Sequence, residues 1–301
     1  MKILLTGATG FVGRPLCEYL KARGHDLVVL TRSGKAAIGR AVRWDYTRGP
    51  VPAEALRDVD AVIHLAGESV ASRWTDKQKK LIRDSRVLTT QSLLDSLKRS
   101  HEHRCKVFVS ASAIGIYGNR ADQMLTEISP PGNGFLADVC KEWESTLFAD
   151  AETGGMRKVA LRFGMVLGEG GGALPKMLPI FRAGLGGPLG SGRQYMSWIH
   201  IADLVHLVDS CLTSSEFQGP INAVAPNPVT NREFSRVLGK VLRRPTFLKA
   251  PAFAIKAALG EMSEVLLDSQ RVFPERAIKA GFSCTFERIE DALVDILSEP
   301  V

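Results

Sequence analysis

A glycine-rich turn near the start of the chain constrains its fold more than any other feature. Its residues are Thr6, Gly7, Ala8, Thr9, Gly10, Phe11, Val12 and Gly13. It follows a short apolar run and precedes a segment with helically spaced leucines, which predicts a strand, a tight turn and a helix. Gly7 permits the sharp turn, Gly10 leaves the backbone open to an approaching phosphate, and Gly13 lets the helix pack closely on the strand. The alternative is an ordinary glycine-rich turn without a ligand.

Strands and helices alternate along the first half of the chain. Apolar runs predict strands at 26–31, 41–45, 60–65, 104–112 and 159–163. Periodic apolar residues predict long helices at 75–99, with a stripe that includes Leu81 and Leu88, and at 135–152. Short connections between such elements favour a parallel sheet covered on both faces. The predicted fold class is therefore α/β, a Rossmann-type doubly wound parallel sheet.

The end of the second predicted strand carries basic and hydroxyl side chains rather than an acidic one. Arg32, Ser33 and Lys35 follow this strand directly. In dinucleotide-binding folds an acidic residue here contacts the ribose diol, whereas a basic residue accommodates a 2′-phosphate. Arg32 supplies a planar pair of donors for phosphate, and Lys35 adds a second positive charge. We therefore predict NADP rather than NAD as the cofactor, and a solvated basic loop is the alternative.

The fourth predicted strand ends in small residues. Ala66 and Gly67 follow His64 and Leu65. Small side chains at the carboxyl end of a strand let a cofactor pass close to the backbone. Ala66 and Gly67 are therefore candidate contacts to the ribose and phosphate of the cofactor.

The pattern of the chain changes after residue 167. Nine glycines punctuate residues 168–192, and helical patterns follow at 231–243, 252–268 and 286–298. We predict an NADP-binding Rossmann domain at 1–167, with part of 194–223 returning to its sheet, and a smaller, mainly helical C-terminal substrate region at 168–301. This region should close a substrate cleft over the carboxyl edge of the sheet.

Composition and charge exclude several classes of function. No apolar run approaches the roughly 20 residues that a membrane span requires, and no signal-peptide pattern precedes the first strand. Five widely spaced cysteines, without a pair or histidine cluster at metal-ligand spacing, predict reduced thiols, no metal site and a cytoplasmic location. The net charge of +7 fits an anionic cofactor and substrate. We therefore predict a small-molecule substrate, with neither nucleic acid nor membrane as a partner.

Further motifs follow in order along the chain. They are His64-Leu65-Ala66-Gly67, Ser110-Ala111-Ser112, Tyr117-Gly118, the glycine-rich stretches 166–173, 184–188 and 190–192, and residues 198–201. With the glycine turn, they cover essentially the whole chain. The chain thereby resembles the extended short-chain dehydrogenase/reductase family, in particular its atypical nucleoside-diphosphate-sugar-epimerase-like members with a C-terminal segment of uncharacterised function. The resemblance implies NADP binding through Gly7, Thr9, Gly10, Phe11, Val12, Gly13, Thr31, Arg32, Leu65, Ala66, Arg86 and Met165.

The usual catalytic pair of that family is missing. Most of its members use a Ser or Thr, a Tyr, and a Lys four residues after the Tyr, and Ser112 takes the first position. On the helix predicted to carry the pair, Leu136 and Cys140 stand in the Tyr and Lys positions. Tyr117 and Glu127 are candidate substitute acids, and we predict Ser112 and Tyr117 as catalytic residues. Cys140 is either an active-site thiol or, as is usual for a single helical cysteine, a core residue.

Three other polar residues each have two interpretations. His200 is either a base or a histidine that caps the helix after it. Arg162 and Arg193 either bind an anionic substrate or lie at the surface.

Three functions are compatible with these residues. The favoured one is an NADP(H)-binding, epimerase- or reductase-like protein that acts on a sugar nucleotide or a small carbonyl compound through a nonstandard site. A non-catalytic NADPH-binding regulator or scaffold is the main alternative. The intact glycine turn and Arg32 disfavour a structural interaction protein with a vestigial site. The two long helices would pair in a homodimer, and a monomer is the other option.

Overall fold

The computed structural model describes residues 1–100, 102–149 and 155–298. Its strands are β1 (Lys2–Thr6), β2 (Asp26–Thr31), β3 (Arg40–Arg43), β4 (Ala61–His64), β5 (Val107–Ala113), β6 (Met124–Leu125), β7 (Arg157–Phe163), β8 (Met165–Leu167), β9 (Tyr195–Met196), β10 (Trp198–His200), β11 (Gly219–Ala223), β12 (Val229–Thr230) and β13 (Arg271–Val272). Its α-helices are α1 (Gly13–Ala22), α2 (Ala53–Leu56), α3 (Asp76–Arg99), α4 (Phe135–Phe148), α5 (Leu174–Arg182), α6 (Ile201–Thr213), α7 (Asn231–Val241), α8 (Ala252–Leu259), α9 (Glu264–Leu267), α10 (Glu275–Lys279) and α11 (Ile289–Leu297). Within these ranges, 3₁₀ turns lie at Ile114–Tyr117 and Gly260–Ser263.

Seven strands of the described chain form one parallel sheet, in the order β3-β2-β1-β4-β5-β7-β11. Leu5 of β1 pairs with Val29 on one side and with Ile63 on the other, so the strand order reverses beside β1. Ligands of open α/β sheets bind beyond the carboxyl ends of the strands at such a reversal. The predicted doubly wound sheet is therefore confirmed, and the glycine turn follows β1 at this point.

The two faces of the sheet have separate cores because successive side chains of a strand point to opposite sides. Ile3 and Leu5 of β1 pack with α1 and α6 on one face. Leu4, between them, packs on the other face with the late leucines of α3 and with Leu147 of α4. Parallel strands buried on both faces read as continuous apolar runs, which is why β1, β2 and β4 could be predicted.

The predicted helices differ from the structure in three places. Leu81 and Leu88 of α3 are 42% and 43% exposed because they lie on its outer face, while Ile82, Val87 and the later leucines are buried. The single helix predicted at 252–268 is wrong: Gly260 takes a φ of 60°, which divides the segment into α8, a 3₁₀ turn and α9. Helix α4 ends at Phe148, and residues 150–152 of its predicted length lie outside the described ranges.

The C-terminal part of the chain has a core of its own. Trp198, Phe234 and Leu293 are buried together there, on β10, α7 and α11. Strand β11, which lies within 194–223, pairs with β7 at the edge of the main sheet. The chain thus returns to the sheet after leaving it at β8, while the division into domains at residue 167 stays a prediction.

Candidate functional site

The glycine turn packs against the end of β4. Gly7 has a φ of 76°, and a Cβ there would lie 2.7 Å from the carbonyl carbon of Leu65. A Cβ on Gly13 would lie 2.1 Å from the carbonyl oxygen of Gly7, which accepts the backbone N–H of Gly10 at 3.0 Å. Side chains at Gly7 and Gly13 would therefore push the turn off the sheet. Thr9 and Gly10 remain exposed just before α1, where free N–H groups bind anions.

The side chain of Phe11 is covered by the glycine-rich residues 168–172, which follow β8. A Cβ on Gly171 would lie 2.6 Å from the Phe11 ring, and one on Gly172 would lie 2.9 Å from it. Val12, the next residue, packs against the core under α1. Because glycine alone lets the later run lie on the ring, the two glycine-rich segments form one surface beside the turn.

A chain of hydrogen bonds holds the end of β4. Nδ1 of His64 lies 2.6 Å from the Thr6 hydroxyl, and the backbone N–H of Ala66 donates to that hydroxyl at 3.2 Å. Nε2 of His64 lies 3.1 Å from the Thr89 hydroxyl, which donates to the Ser85 carbonyl at 2.6 Å. These partners fit a neutral imidazole that donates from Nε2. Burial lowers the pKa of His64 to about 3, so His64 is uncharged at neutral pH and helps to position Ala66.

The cations at the end of β2 are exposed and have no carboxylate partner. Arg32, Ser33 and Lys35 all lie at the surface, and the Thr31 and Ser33 hydroxyls are 3.1 Å apart. In the part of the chain that the structure describes, no carboxylate is within ion-pair distance of Arg32 or Lys35. Their charges are therefore available to an external anion.

Arg14 is a further cation beside the turn, and sequence reasoning missed it. It lies on the first turn of α1 and lines a cavity of about 60 Å³ with Thr9, Cys17 and residues 36–38. The cavity lies between the glycine turn and the loop that follows Lys35. The available signal was a basic residue directly after the glycine motif, where a helix already attracts phosphate.

Arg86 of α3 reaches the strand end at Gly67. A Cβ on Gly67 would lie 3.2 Å from its guanidinium carbon. One guanidinium nitrogen donates to the Ile82 carbonyl at 2.9 Å, and the guanidinium carbon lies 5.5 Å from the centre of the Trp143 ring. Burial lowers the pKa of Arg86, and among the described residues no carboxylate forms an ion pair with it. The structure thus brings a cation without a counter-ion to this strand end.

Met165 lies just after β7, at the start of β8. Its backbone N–H donates to the Ser197 carbonyl at 2.8 Å, and β8 pairs with β10. The half-buried side chain packs on the C-terminal core. Met165 therefore lies where the sheet meets the C-terminal region.

Leu136 and Cys140 lie one turn apart on the same face of α4. A Cβ on Gly115 would lie 3.5 Å from the Cβ of Leu136, so the first turn of α4 packs on the 3₁₀ turn after β5. Burial raises the pKa of Cys140 to about 12, which makes it a neutral thiol at pH 7. Helix α4 contains no Tyr, and its lysine, Lys141, pairs with Asp138 at 2.6 Å. Neither partner of the usual catalytic pair has a replacement on this helix.

Ser112 is part of a buried ionic cluster. Its hydroxyl donates to Glu144 at 2.6 Å, and Arg162 donates to both oxygens of the same carboxylate, at 2.8 and 2.7 Å. Burial alone would lower the pKa of Arg162, but the Glu144 carboxylate outweighs it and raises the pKa. Glu144 lies two turns, about 12 Å, beyond Leu136 along α4. The Ser112 hydroxyl is therefore bound to Glu144, far along α4 from Leu136, which stands in the usual Tyr position. The catalytic role of Ser112 stays a prediction.

Tyr117 extends this cluster and is fully buried. Its hydroxyl donates to the Asn222 side chain at 2.7 Å and accepts from Arg162 at 2.8 Å. Burial raises the pKa of Tyr117, and Arg162 opposes that shift. Glu127 accepts the backbone N–H of Asn222 at 3.0 Å, while its other oxygen is buried without a partner in the described chain. The Tyr117 hydroxyl would have to give up its bond to Asn222 to donate to a substrate, and the roles of Tyr117 and Glu127 as acids stay predictions.

A cleft of about 650 Å³ separates the C-terminal helices from the loop after β5. Asn119, Gln194, Lys256 and Asp268 are among the residues that line it. Burial, with a smaller contribution from Glu264 one turn away, raises the pKa of Asp268 to about 6. Sequence reasoning missed Asp268 because its environment, rather than its residue type, sets this pKa. The available signal in the sequence was the pair Glu264 and Asp268, which stand four residues apart.

His200 and Arg193 have different environments. Nδ1 of His200 accepts the backbone N–H of Ala202 at 3.2 Å, and Nε2 lies 3.2 Å from Asp295. His200 is the N-cap of α6, so the capping interpretation is confirmed. Burial lowers the pKa of His200. Arg193 is exposed, next to Gln194 of the cleft wall.

The described residues contain no group of three or more His, Cys, Asp or Glu side chains that could hold a metal ion. None of the helices within those ranges is both long enough and apolar enough to cross a membrane. All five cysteines are free thiols.

Known proteins match the chain over almost all of its length. The NAD-dependent epimerase/dehydratase family model matches residues 3–223, and a model for a domain of unknown function (DUF1731) matches residues 250–296. The chloroplastic homologue of epimerase family protein SDR39U1 from Arabidopsis thaliana is 43% identical, over 99% of this chain and 87% of that protein.

Two crystal structures have the same fold. Human epimerase family protein SDR39U1 (isoform 2) with NADPH is 34% identical, with a TM-score of 0.89 over 98% of this chain and 99% of that one. The nucleoside-diphosphate sugar epimerase from Corynebacterium glutamicum is also 34% identical, with a TM-score of 0.80 over 99% of this chain and 58% of that one. The chain therefore belongs to the NAD-dependent epimerase/dehydratase family, among the extended short-chain dehydrogenases/reductases.

Proposed function

We propose that this protein binds NADP(H) and acts as an epimerase or reductase on a sugar nucleotide or a small carbonyl compound. The observation that carries the proposal is the glycine turn, fitted to the end of β4, together with the exposed cations Arg32 and Lys35, which form no ion pair with the described carboxylates. The human relative, crystallised with NADPH, supports the choice of cofactor. The Corynebacterium glutamicum relative, named a nucleoside-diphosphate sugar epimerase, supports the class of substrate.

The residues of the chain fit NADP(H) at three places. The turn of Gly7, Gly10 and Gly13 would hold the pyrophosphate, since Gly7 and Gly13 let it pack closely on the end of β4 and Thr9 and Gly10 stay exposed before α1. Arg32, with Lys35, would hold the 2′-phosphate. Thr31 ends β2, Ala66 and Gly67 follow β4 with Arg86 beside them, and Met165 follows β7; these residues would contact the rest of the cofactor. When bound, the nicotinamide supplies a hydride donor or acceptor.

Proton transfer needs a group other than Tyr and Lys of α4. We propose Asp268 for it, because this residue lines the 650 Å³ cleft and its pKa of about 6 lets it exchange a proton near neutral pH. Ser112 and Tyr117 remain the alternatives. Each would have to exchange a bond within the Glu144–Arg162 cluster for one to substrate.

A non-catalytic NADPH-binding regulator is the second candidate. It is favoured by one observation, the replacement of the Tyr and Lys by Leu136 and a neutral, buried Cys140. We also propose a cytoplasmic location for this family member, on the basis of its five free thiols. Whether it acts as a monomer or as a homodimer stays a prediction.

Turnover separates the two candidates. Wild type would be incubated with NADPH or NADP and a panel of UDP-sugars, aldehydes and ketones, with NADPH absorbance and epimer formation both followed. We expect turnover that Asp268→Asn abolishes and that Asp291→Asn, an exposed control on α11, leaves unchanged. NADPH affinity should stay the same in both variants.

Two other outcomes of this experiment would change the assignment of the catalytic residue or of the function. If turnover survives Asp268→Asn but not Ser112→Ala or Tyr117→Phe, the proton-transfer role moves to those residues. If NADPH binds without turnover on the whole panel, the regulator is favoured over the enzyme.

A further inference from the structure

The positive charge of the chain is concentrated in two segments. Residues 170–202 and 234–260 contain nine Lys and Arg and no Asp or Glu, whereas the rest of the chain is slightly acidic. The nine are Lys176, Arg182, Arg193, Arg236, Lys240, Arg243, Arg244, Lys249 and Lys256. The excess of +7 therefore belongs to these two segments, which lie outside the glycine turn and the end of β2.

The two basic segments lie side by side in the structure. Leu189 and Ala250 form a β-bridge, and the backbone N–H of Gly190 donates to the Ala250 carbonyl at 2.8 Å. A Cβ on Gly187 would lie 1.9 Å from the carbonyl oxygen of Leu248, so the two segments touch through their backbones. Cations from both segments are thereby gathered on one part of the C-terminal region.

Large apolar side chains are exposed among these cations. Phe247 and Phe253 are each 76% exposed, Leu185 is 60% exposed and Ile180 is 55% exposed. A surface helix normally hides an apolar stripe, but α8 has the sequence AFAIKAAL and buries Ile255 alone. Contiguous exposed apolar groups mark docking surfaces in folded proteins. We name residues 180–185 and 243–249 together with α8 the basic–apolar face.

The charges of this face are not used within the described chain. Arg182, Arg243, Arg244 and Lys249 are exposed, and no carboxylate of the described residues forms an ion pair with them. By contrast, Lys240 on the neighbouring α7 pairs with Glu290 at 2.6 Å. Four cations beside exposed phenylalanines are thus left for an external anionic partner.

We propose that the basic–apolar face docks the protein peripherally on an anionic phospholipid bilayer. Exposed Phe and Leu enter the boundary between headgroups and acyl chains, while surrounding Lys and Arg bind anionic headgroups. A second copy of this face is a poor occupant, because pairing would bring its own cations together. A nucleic acid would use the cations but would leave Ile180 and Leu185 without a role. The proposal departs from the expectation that no membrane is a partner.

Vesicle binding of the full chain tests the proposal. The protein would be floated with vesicles of phosphatidylcholine alone or of phosphatidylcholine and phosphatidylglycerol in equal parts, at low and at physiological ionic strength. We expect binding to the anionic vesicles alone, weakened by salt because the headgroup attraction is screened. Phe247→Ser with Phe253→Ser should reduce the bound fraction about tenfold, and Arg243→Glu with Arg244→Glu should do the same.

Matched variants separate this face from a general surface effect. Ile128→Ser removes a side chain that is 80% exposed elsewhere, and Lys77→Glu reverses an exposed charge on α3. Both should bind vesicles as wild type does, and thermal unfolding would verify that all variants are folded.

Three results would overturn the proposal. They are no binding to anionic vesicles at low ionic strength, equal binding to neutral ones, or equal loss in the face variants and the controls. Displacement of the vesicles by duplex DNA, with no effect of the Phe variants, would instead identify a nucleic-acid surface and would also refute it.

Discussion

Glu144→Gln is the substitution that best tests whether the Ser112 cluster is structural. Arg162 donates to both oxygens of Glu144 and is 6% exposed, so the variant leaves a guanidinium buried without its counter-ion. Breaking a buried pair from one side costs about 3–5 kcal/mol. For a chain of this size, that loss corresponds to a fall in Tm of roughly 5–8 °C.

The measurement is urea unfolding of wild type and variant at pH 7, with thermal unfolding in parallel. The control is Glu290→Gln, which removes the 2.6 Å partner of Lys240 in an exposed pair. That control should leave stability nearly unchanged because solvent screens the pair. Ser112→Ala, which removes one hydroxyl donor from the charged Glu144 carboxylate, should cost about 1.5–3 kcal/mol. If Glu144→Gln were as harmless as Glu290→Gln, the buried ionic cluster would contribute little to stability, and Ser112 would be free for substrate.

Two further predictions concern the glycine turn and the strand end beside it. Gly13→Ala places a Cβ 2.1 Å from the Gly7 carbonyl oxygen and should cost about 1–3 kcal/mol in urea unfolding, whereas Gly115→Ala, whose Cβ meets Leu136 at an ordinary 3.5 Å, should be tolerated. Equal effects of the two would contradict the close packing of the turn. Burial lowers the pKa of His64 to about 3, so between pH 6.5 and about 3 the unfolded chain binds a proton that folded His64 does not. The free energy of unfolding should therefore fall by about 1.4 kcal/mol for each pH unit below 6.5 through His64 alone. His64→Asn should lack this contribution, so its stability should depend less on pH in that range. If wild type and His64→Asn lost stability equally between pH 7 and 5, His64 would have to be protonated in the folded state as well.

The fold could be predicted because it depends on local patterns. Buried parallel strands appear as uninterrupted apolar runs, and the glycine spacing of residues 7–13 is required by backbone contacts that no other residue allows. The break at Gly260 was missed because apolar periodicity continues on both sides of it and says nothing about the φ of one glycine. Leu81 and Leu88 were misplaced because they share the outer face of α3, whereas Ile82 and Val87, beside them in sequence, are buried on its inner face.

The site was less predictable because its chemistry depends on contacts between remote segments. Arg32 and the absence of the Tyr and Lys could be predicted from the sequence, because each depends only on the residue type at a known motif position. The partners of Ser112 and Tyr117 could not, because Glu144, Arg162 and Asn222 come from three other elements. The pKa of Asp268 likewise depends on the burial that the folded cleft creates.

The central claim, that this chain is built for NADP(H), is tested most directly by cofactor titration. NADPH and NADH would each be titrated by fluorescence into wild type, Arg32→Ala and Arg57→Ala, the last being an exposed arginine paired with Glu102 away from the turn. We predict that wild type prefers NADPH, and that Arg32→Ala weakens NADPH binding by about 1.5–3 kcal/mol, roughly 10- to 150-fold, with little effect on NADH. Arg57→Ala should behave as wild type. Equal affinities for the two cofactors in wild type, unchanged by Arg32→Ala, would contradict the account.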